Sequence, residues 1–203
     1  MRSPVDTQGQ RRSAILDAAD RLLREHGWQK TTIGDIAREA HVGVGTVYLE
    51  FENKDAIVEA VSAGRHTLVL RAMMDAATRP KATHAARLTG MMDARVETFL
   101  SLRLDGTHAQ ELMFCVCPGV KTAGQRFFEA QHALCTQVLH EGHRDGEFHL
   151  QDPTASAHAV LRAYATFSPP HLFAEETALI RPALAALHQL VLDGVLRRKA
   201  RGR

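Results

Sequence analysis

Apolar residues return every three or four positions along nearly the whole chain, and nowhere do they alternate as a half-buried strand requires. In RSAILDAADRLLREHG, Ile15, Ala18, Ala19, Leu22 and Leu23 fall on one face, Arg and Asp occupy the other, and Gly27 ends the run. In TTIGDIAREAH, Thr32 stands three residues before Asp35 as in a capping box, with Ile33, Ile36, Ala37 and Ala40 sharing a face. After residue 51, Asn53 is placed to cap a long helix that begins at Lys54. Aromatic residues are only 5% of the chain, which also favours helix over sheet. The expected fold is all-α, with about nine helices.

Between the second and the long helix lies HVGVGTVYLEF, residues 41–51, where two glycines invite three readings. A dinucleotide-binding loop needs a preceding strand and a third glycine, but helix precedes this stretch and Tyr48 holds the glycine position. A hairpin needs alternating flanks, which Ile36, Ala37 and Ala40 do not supply. Helix-turn-helix remains: Gly43 would allow the tight turn, Gly45 would let a backbone approach closely, and Val47 and Phe51 would seat the second helix on the first. Val44, Thr46, Tyr48 and Leu49 are then left near the outer surface.

The positions Thr32, Ile36-Ala37, Ala40, Val42, Gly45-Thr46-Val47-Tyr48, Phe51 and Lys54 resemble the N-terminal DNA-binding domain of the TetR family of one-component transcriptional regulators. The resemblance covers about residues 11–60. It departs at His41, where the family usually has glycine, at Gly43, where it has a capping serine or threonine, and at Val44, where a polar residue often reaches the bases. Val44 is suited to a thymine methyl group and makes no hydrogen bond to a base edge. The resemblance implies DNA contacts from Thr32, His41, Val44, Thr46, Tyr48, Leu49 and Lys54. Thr46 and Tyr48 carry hydroxyls for phosphate, and Lys54 adds charge at a helix start. It also implies a DNA-binding domain over residues 1–55 and an effector-binding and dimerisation domain over 56–203. Such a protein binds a palindromic operator as a homodimer through its last two helices, and a small-molecule effector releases it.

Charge does not announce DNA binding. The net charge is only +2, and residues 1–54 contain eight basic and eight acidic side chains, so placement must do what the sum does not. The basic run at residues 197–203 reads as a solvated end. No apolar run approaches about 18 residues and the N-terminus has no signal-peptide core, so a cytoplasmic protein away from the membrane is expected.

Beyond residue 60 the sequence stands on its own. Breaks at Pro80, Pro118-Gly119, Gly146 and Ser168-Pro169-Pro170 separate helices near residues 84–104, 122–146, 153–167 and 177–198. Met91, Met92, Phe99, Met113, Phe114 and Phe128 could wall a pocket for an apolar molecule or serve as plain core. Arg95 lies between Met91 and Phe99 at four-residue spacing, so its guanidinium lies along the apolar face, and Arg103 is near that face. A buried arginine needs an anionic partner, either Glu111 or Glu129 or the carboxylate of a ligand. The ligand-binding set is therefore Met92, Arg95, Phe99, Met113, Phe114 and Phe128, and the expected effector is small and mainly apolar, with an acidic group as the alternative to a protein carboxylate.

Two alternatives compete. Cys115, Cys117 and Cys135, with His108, His132, His140 and His143, offer donors for a metal, haem or thiol sensor. Cys135 falls inside an apolar arc and His140 outside it, so no local cluster forms and no metal or cofactor is expected. A cysteine-dependent enzyme is the other alternative, but no nucleophile motif or carboxylate pair accompanies these residues. The expectation is a regulator, not an enzyme.

Overall fold

The computed structural model describes residues 4–103, 108, 110–114 and 117–196. These residues form ten α-helices and one 3-10 turn. Extended backbone pairs only at a single antiparallel bridge, Phe148 with Leu196, among the described residues. The helices are α1 (Pro4–Lys30), α2 (Ile33–Glu39), α3 (Val44–Glu50), α4 (Lys54–Ala77), α5 (His84–Ser101), α6 (Glu111–Phe114), α7 (Pro118–Arg144), α8 (Pro153–Ala163), α9 (His171–Ala174) and α10 (Thr177–Val195), with the 3-10 turn at Ala165–Phe167 between α8 and α9.

Local chemistry explains most boundaries. Thr32 and Asp35 form the expected capping box: the Asp35 amide donates to Thr32 Oγ1 and the Thr32 amide to Asp35 Oδ2, both at 3.1 Å. Asn53 Oδ1 accepts from the Ala56 amide at 2.9 Å at the start of α4. Asp152 accepts from Thr154 and Ala155 ahead of Pro153 in the first turn of α8. Gly27 does mark the end of a regular run, adopting φ 77 and ψ 167, but helical bonding resumes across it to Lys30. Pro118-Gly119 opens α7 instead of standing in a break, because a proline in the first turn forfeits no helical hydrogen bond.

The chain divides into two compact units: residues 1–66 with 103–126, and residues 67–102 with 127–203. The first unit has a core of Ile15, Ala19, Leu23, Ile36, Ala37, Val47, Phe51, Ile57, Val58 and Val61, joined by Leu112, Cys117 and Val120. Within it α7 starts hard against α4: a Cβ on Gly119 would lie 2.4 Å from the Asp55 carbonyl oxygen and 2.8 Å from the Glu59 nitrogen. Sequence places α6 and the start of α7 in the second domain, whereas packing groups them with α1, α2 and α3.

The second unit buries Leu88, Met91, Met92, Val96 and Phe99 of α5, Phe127, Cys135, Val138 and Leu139 of α7, Val160, Leu161 and Tyr164 at α8, and Ile180 and Leu184 of α10. The carboxylate of Glu147 caps α5 from outside the helix, accepting from the His84 and Ala85 amides at 2.8 Å each. Burial alone would raise the Glu147 pKa; the two amides and the His84 ring outweigh it and hold the carboxyl below its ordinary value.

Candidate functional site

The turn joining α2 to α3 is made at His41, which adopts φ 55. Its amide donates to the Arg38 carbonyl at 3.2 Å and that of Val42 to the Ala37 carbonyl at 3.0 Å, closing α2. Gly43 was expected to provide the unusual conformation, but its φ of −72 and ψ of 149 are ordinary extended backbone. The left-handed position is His41, the residue that stands where the resembling pattern has glycine. Gly45 has open space where its Cβ would be, so among the described residues nothing makes the close approach that the sequence allows for.

Val47 is fully buried and Phe51 is 4% exposed, and between them they fasten α3 to the core. The opposite face carries Val44 at 46%, Tyr48 at 54% and Leu49 at 84% exposure. Thr46 is half-buried in the first turn, and His41 and Thr32 are exposed beside it. The Thr32 hydroxyl is already committed, donating to Asp35 Oδ2 at 2.6 Å, and this bond leads the contacts that hold the Asp35 carboxyl below its usual range. α3 has no basic residue in its last turn. Its end is clamped from α1: Arg12 donates to the Glu50 carbonyl at 2.9 Å and lies over the Phe51 ring at 4.1 Å.

Lys54 departs from the sequence expectation of a free positive charge at a helix start. Its ammonium donates to the carbonyls of Trp28 at 2.8 Å and Thr31 at 3.1 Å, and sits 4.6 Å above the Trp28 ring. It ties the first residue of α4 to the end of α1, using carbonyls in and just past the last turn of that helix, where no further helical amide follows to engage them. Sequence patterning missed this because the partners lie more than twenty residues away.

In the second unit Met92, Arg95 and Phe99 share the buried face of α5. Phe99 meets Phe127 edge-to-face at 5.9 Å, while Phe128, the residue chosen from sequence, stacks on His132 at 6.2 Å and meets His158 edge-on at 5.8 Å. Met113 and Phe114 are on α6 and belong to the first unit, so they are not grouped with the α5 residues. Arg103 is exposed. Arg95 is 4% exposed, as its spacing implied, but neither Glu111 nor Glu129 is its partner. Its guanidinium donates instead to the Tyr164 carbonyl at 3.4 Å and to the Ser168 hydroxyl. Glu111 pairs with His108 at 2.6 Å.

Sequence also missed a polar chain that runs from buried Tyr164 to exposed Asp93. The Tyr164 hydroxyl lies 2.6 Å from His188 Nδ1, and His188 Nε2 lies 2.8 Å from Asp93 Oδ1, joining α8, α10 and α5. Burial, with Asp93 and Cys135 nearby, pushes the Tyr164 pKa up, so the phenol stays protonated.

The thiols give the sensor reading no support. Cys135 is fully buried and burial raises its pKa to about 12, far from the thiolate that redox or metal chemistry needs. Cys117 is 4% exposed, and no cluster of three metal-binding side chains occurs among the described residues. Cys115 and the basic run at 197–203 lie outside the described residues.

Comparison with known proteins adds to this geometry. The profile of bacterial regulatory proteins, tetR family, matches residues 15–61, and that of the tetracyclin repressor-like C-terminal domain matches 85–187, more than half of the chain. The transcriptional regulator HbdR of Aromatoleum sp. (strain CIB) is 47% identical over 49 residues, 24% of this chain and 21% of that protein. The transcriptional repressor KstR2 of Mycolicibacterium smegmatis is 29% identical over 152 residues, covering 68% of this chain and 67% of its own. The first curated relatives are matched over only 21 to 25% of their length. The fatty acid degradation regulator FadR of Bacillus halodurans superposes with a TM-score of 0.67 at 16% identity, all of both chains being covered.

Proposed function

The chain belongs to the TetR family of helix-turn-helix regulators, and from that membership we propose that it is a repressor, not an enzyme, that binds a palindromic operator as a homodimer in the cytoplasm and leaves it when a small, mainly apolar effector binds. The observation that carries the DNA reading is the outer face of α3. Three large side chains, Val44, Tyr48 and Leu49, stand exposed on a helix whose inner face is locked by Val47 and Phe51. Nothing in folding rewards leaving them in water. In a major groove, Val44 and Leu49 suit thymine methyl groups, and the Tyr48 and Thr46 hydroxyls suit phosphate oxygens. Gly45 leaves room for the DNA backbone, and His41 and Thr32 stand at the same edge. Lys54 is assigned here to holding α1 against α4 and not to phosphate.

The dimer is supported by α10. Its most apolar 18-residue window has mean hydropathy 1.2, enough by length and composition to cross a membrane, yet only 17% of that window is buried within the chain. Leu179 and Leu190 are 52% and 71% exposed, and Ala159 and Ala163 of α8 are exposed as well. Small and apolar surfaces on two helices suit a four-helix interface between two copies. The buried methionines and phenylalanines of the second unit are soft, adaptable neighbours for an apolar effector.

Selection of bound sequences from random duplex DNA at near-physiological salt tests the proposal. The expected product is a palindrome whose half-sites are about 34 Å apart or a small multiple of that. Enrichment of no sequence by folded dimer, or of a single non-repeated half-site, would refute it.

A further inference from the structure

α3 is a reader helix without the side chains that usually read base edges by hydrogen bonding. None of its seven residues is Arg, Lys, Asn or Gln, the residues that grip guanine or adenine with two bonds. Its one charged side chain, Glu50, has the chemistry to accept from cytosine, but it is only 4% exposed and faces Arg11 of α1 at 3.9 Å. Thr46 and Tyr48 offer single hydroxyls, which bond phosphates and several base edges alike and so select no base. What this helix sets toward solvent is otherwise apolar.

Leu49 is the most exposed large apolar side chain among the described residues, at 84%. Val47, two positions before it and about 200° around the helix, is fully buried, so Leu49 points away from the core. Gly45 precedes Leu49 by four residues and lies on the same line of the helix, with nothing among the described residues within 4 Å of where its Cβ would be. Leu49 therefore rises beside a bare turn of backbone, and a flat surface can come close on that side. Val44 and Tyr48, also four apart, form the adjoining line. A helix that presents an isobutyl and an isopropyl group to a major groove meets one apolar feature there, the methyl group on C5 of thymine.

We propose that α3 selects its site through the C5-methyl groups of pyrimidines and not through base-edge hydrogen bonds, so that at the positions under Leu49 and Val44 the protein accepts 5-methylcytosine in place of thymine and rejects unmethylated cytosine and uracil. This rests on the reading of α3 as the DNA reader. The two accepted bases carry the same methyl at the same place in the groove and differ at C4, an oxygen acceptor in thymine and an amino donor in 5-methylcytosine. Neither Leu49 nor Val44 has a donor or acceptor to tell them apart. Affinity for the operator therefore rises when a cytosine under this face is methylated. Burying one such carbon is worth about fourfold, and about fifteenfold when a palindrome supplies one contact to each subunit.

The test uses the full chain and the palindrome recovered by selection, with affinities read from fluorescence anisotropy of labelled duplexes. Each thymine of the half-site is replaced in turn by uracil, which removes the methyl alone, and each thymine·adenine pair by cytosine·guanine with and without the C5-methyl. At one or two positions, uracil in both half-sites weakens binding about fifteenfold, and methylating the cytosine at the same positions recovers about the same factor. In Leu49→Ala or Val44→Ala the effect at the position which that residue covers falls below about twofold. Leu49→Ala keeps the wild-type unfolding midpoint, so its loss of methyl preference is not a loss of fold. Half-sites fixed only at guanine, uracil that costs less than about twofold at every position, or cytosine methylation without effect would each overturn methyl reading. So would a methyl preference that survives in both alanine variants, because the methyl then acts through the shape of the DNA. Those results leave a DNA-binding repressor intact, whereas enrichment of no sequence at all removes both readings.

Discussion

Replacing Lys54 by Met separates two roles that the same residue could have at the start of α4. In the structure its ammonium makes two charge-assisted hydrogen bonds, to Trp28 and Thr31, and one contact with the Trp28 ring. Bonds of this kind contribute about 1.5–3 kcal/mol each when buried. Lys54 is only half-buried, and ordering its side chain costs up to about 2 kcal/mol, so the net loss in Lys54→Met is about 2 kcal/mol. For a chain of this size that lowers the unfolding midpoint by about 4–8 °C. Trp28 is the only tryptophan, so its fluorescence reports the same unfolding together with the loss of the ammonium above its ring. The companion assay is operator affinity as a function of salt. A lysine on a phosphate contributes about 0.9 to the log–log slope, or about two units for a dimer with one such contact per subunit. If Lys54 is the tie between α1 and α4, the midpoint falls and the slope is unchanged. A slope smaller by about two units with an unchanged midpoint would refute the structural role and return Lys54 to the DNA interface.

Three other outcomes follow from particular contacts. Tyr48→Phe should weaken operator binding by about 1 kcal/mol, roughly fivefold, and by the same factor for every base substitution in the site; a loss confined to one base position in a binding-competition series would contradict a phosphate role. Gly119→Ala should destabilise the fold by more than about 2 kcal/mol in urea unfolding, because the added carbon meets backbone atoms of Asp55 and Glu59 that have no flexible end to move aside; a loss under about 0.5 kcal/mol would mean that α7 is free to shift. His66 has its pKa depressed from 6.5 to about 4, by burial first and by neighbouring Arg65 second. The unfolded chain therefore binds the proton more readily, so the stability due to neutral His66 is complete above pH 6.5 and is lost as the pH falls toward 4, up to about 3 kcal/mol. His66→Leu should flatten urea stability across that window, and an unaltered pH dependence would show that another group is responsible.

The sequence by itself determined whatever depends on neighbours within a helical turn or two. The all-helical class follows from apolar spacing, and the ends of α2, α4 and α8 follow from Thr32 with Asp35, from Asn53 and from Asp152 with Pro153, because a cap and the amide it satisfies are three residues apart or fewer. The same spacing separated Val47 and Phe51 from Val44, Tyr48 and Leu49, so the outward face of the reader helix was legible before any packing was known. Periodicity also said that Arg95 is buried. It did not say with what: the partners, Tyr164 and Ser168, are 69 and 73 residues away, and the pair that occupies Asp93 is 95 residues apart. Only tertiary structure decided that His41 and not Gly43 takes the left-handed turn, since backbone angles there answer to how α3 docks. It also decided that Lys54 turns back onto α1, that Phe127 and not Phe128 meets Phe99, and that α6 and the start of α7 pack with α1, α2 and α3. In each case the local pattern allows several partners of nearly equal energy, and the choice falls to chain segments that come together only when the core closes.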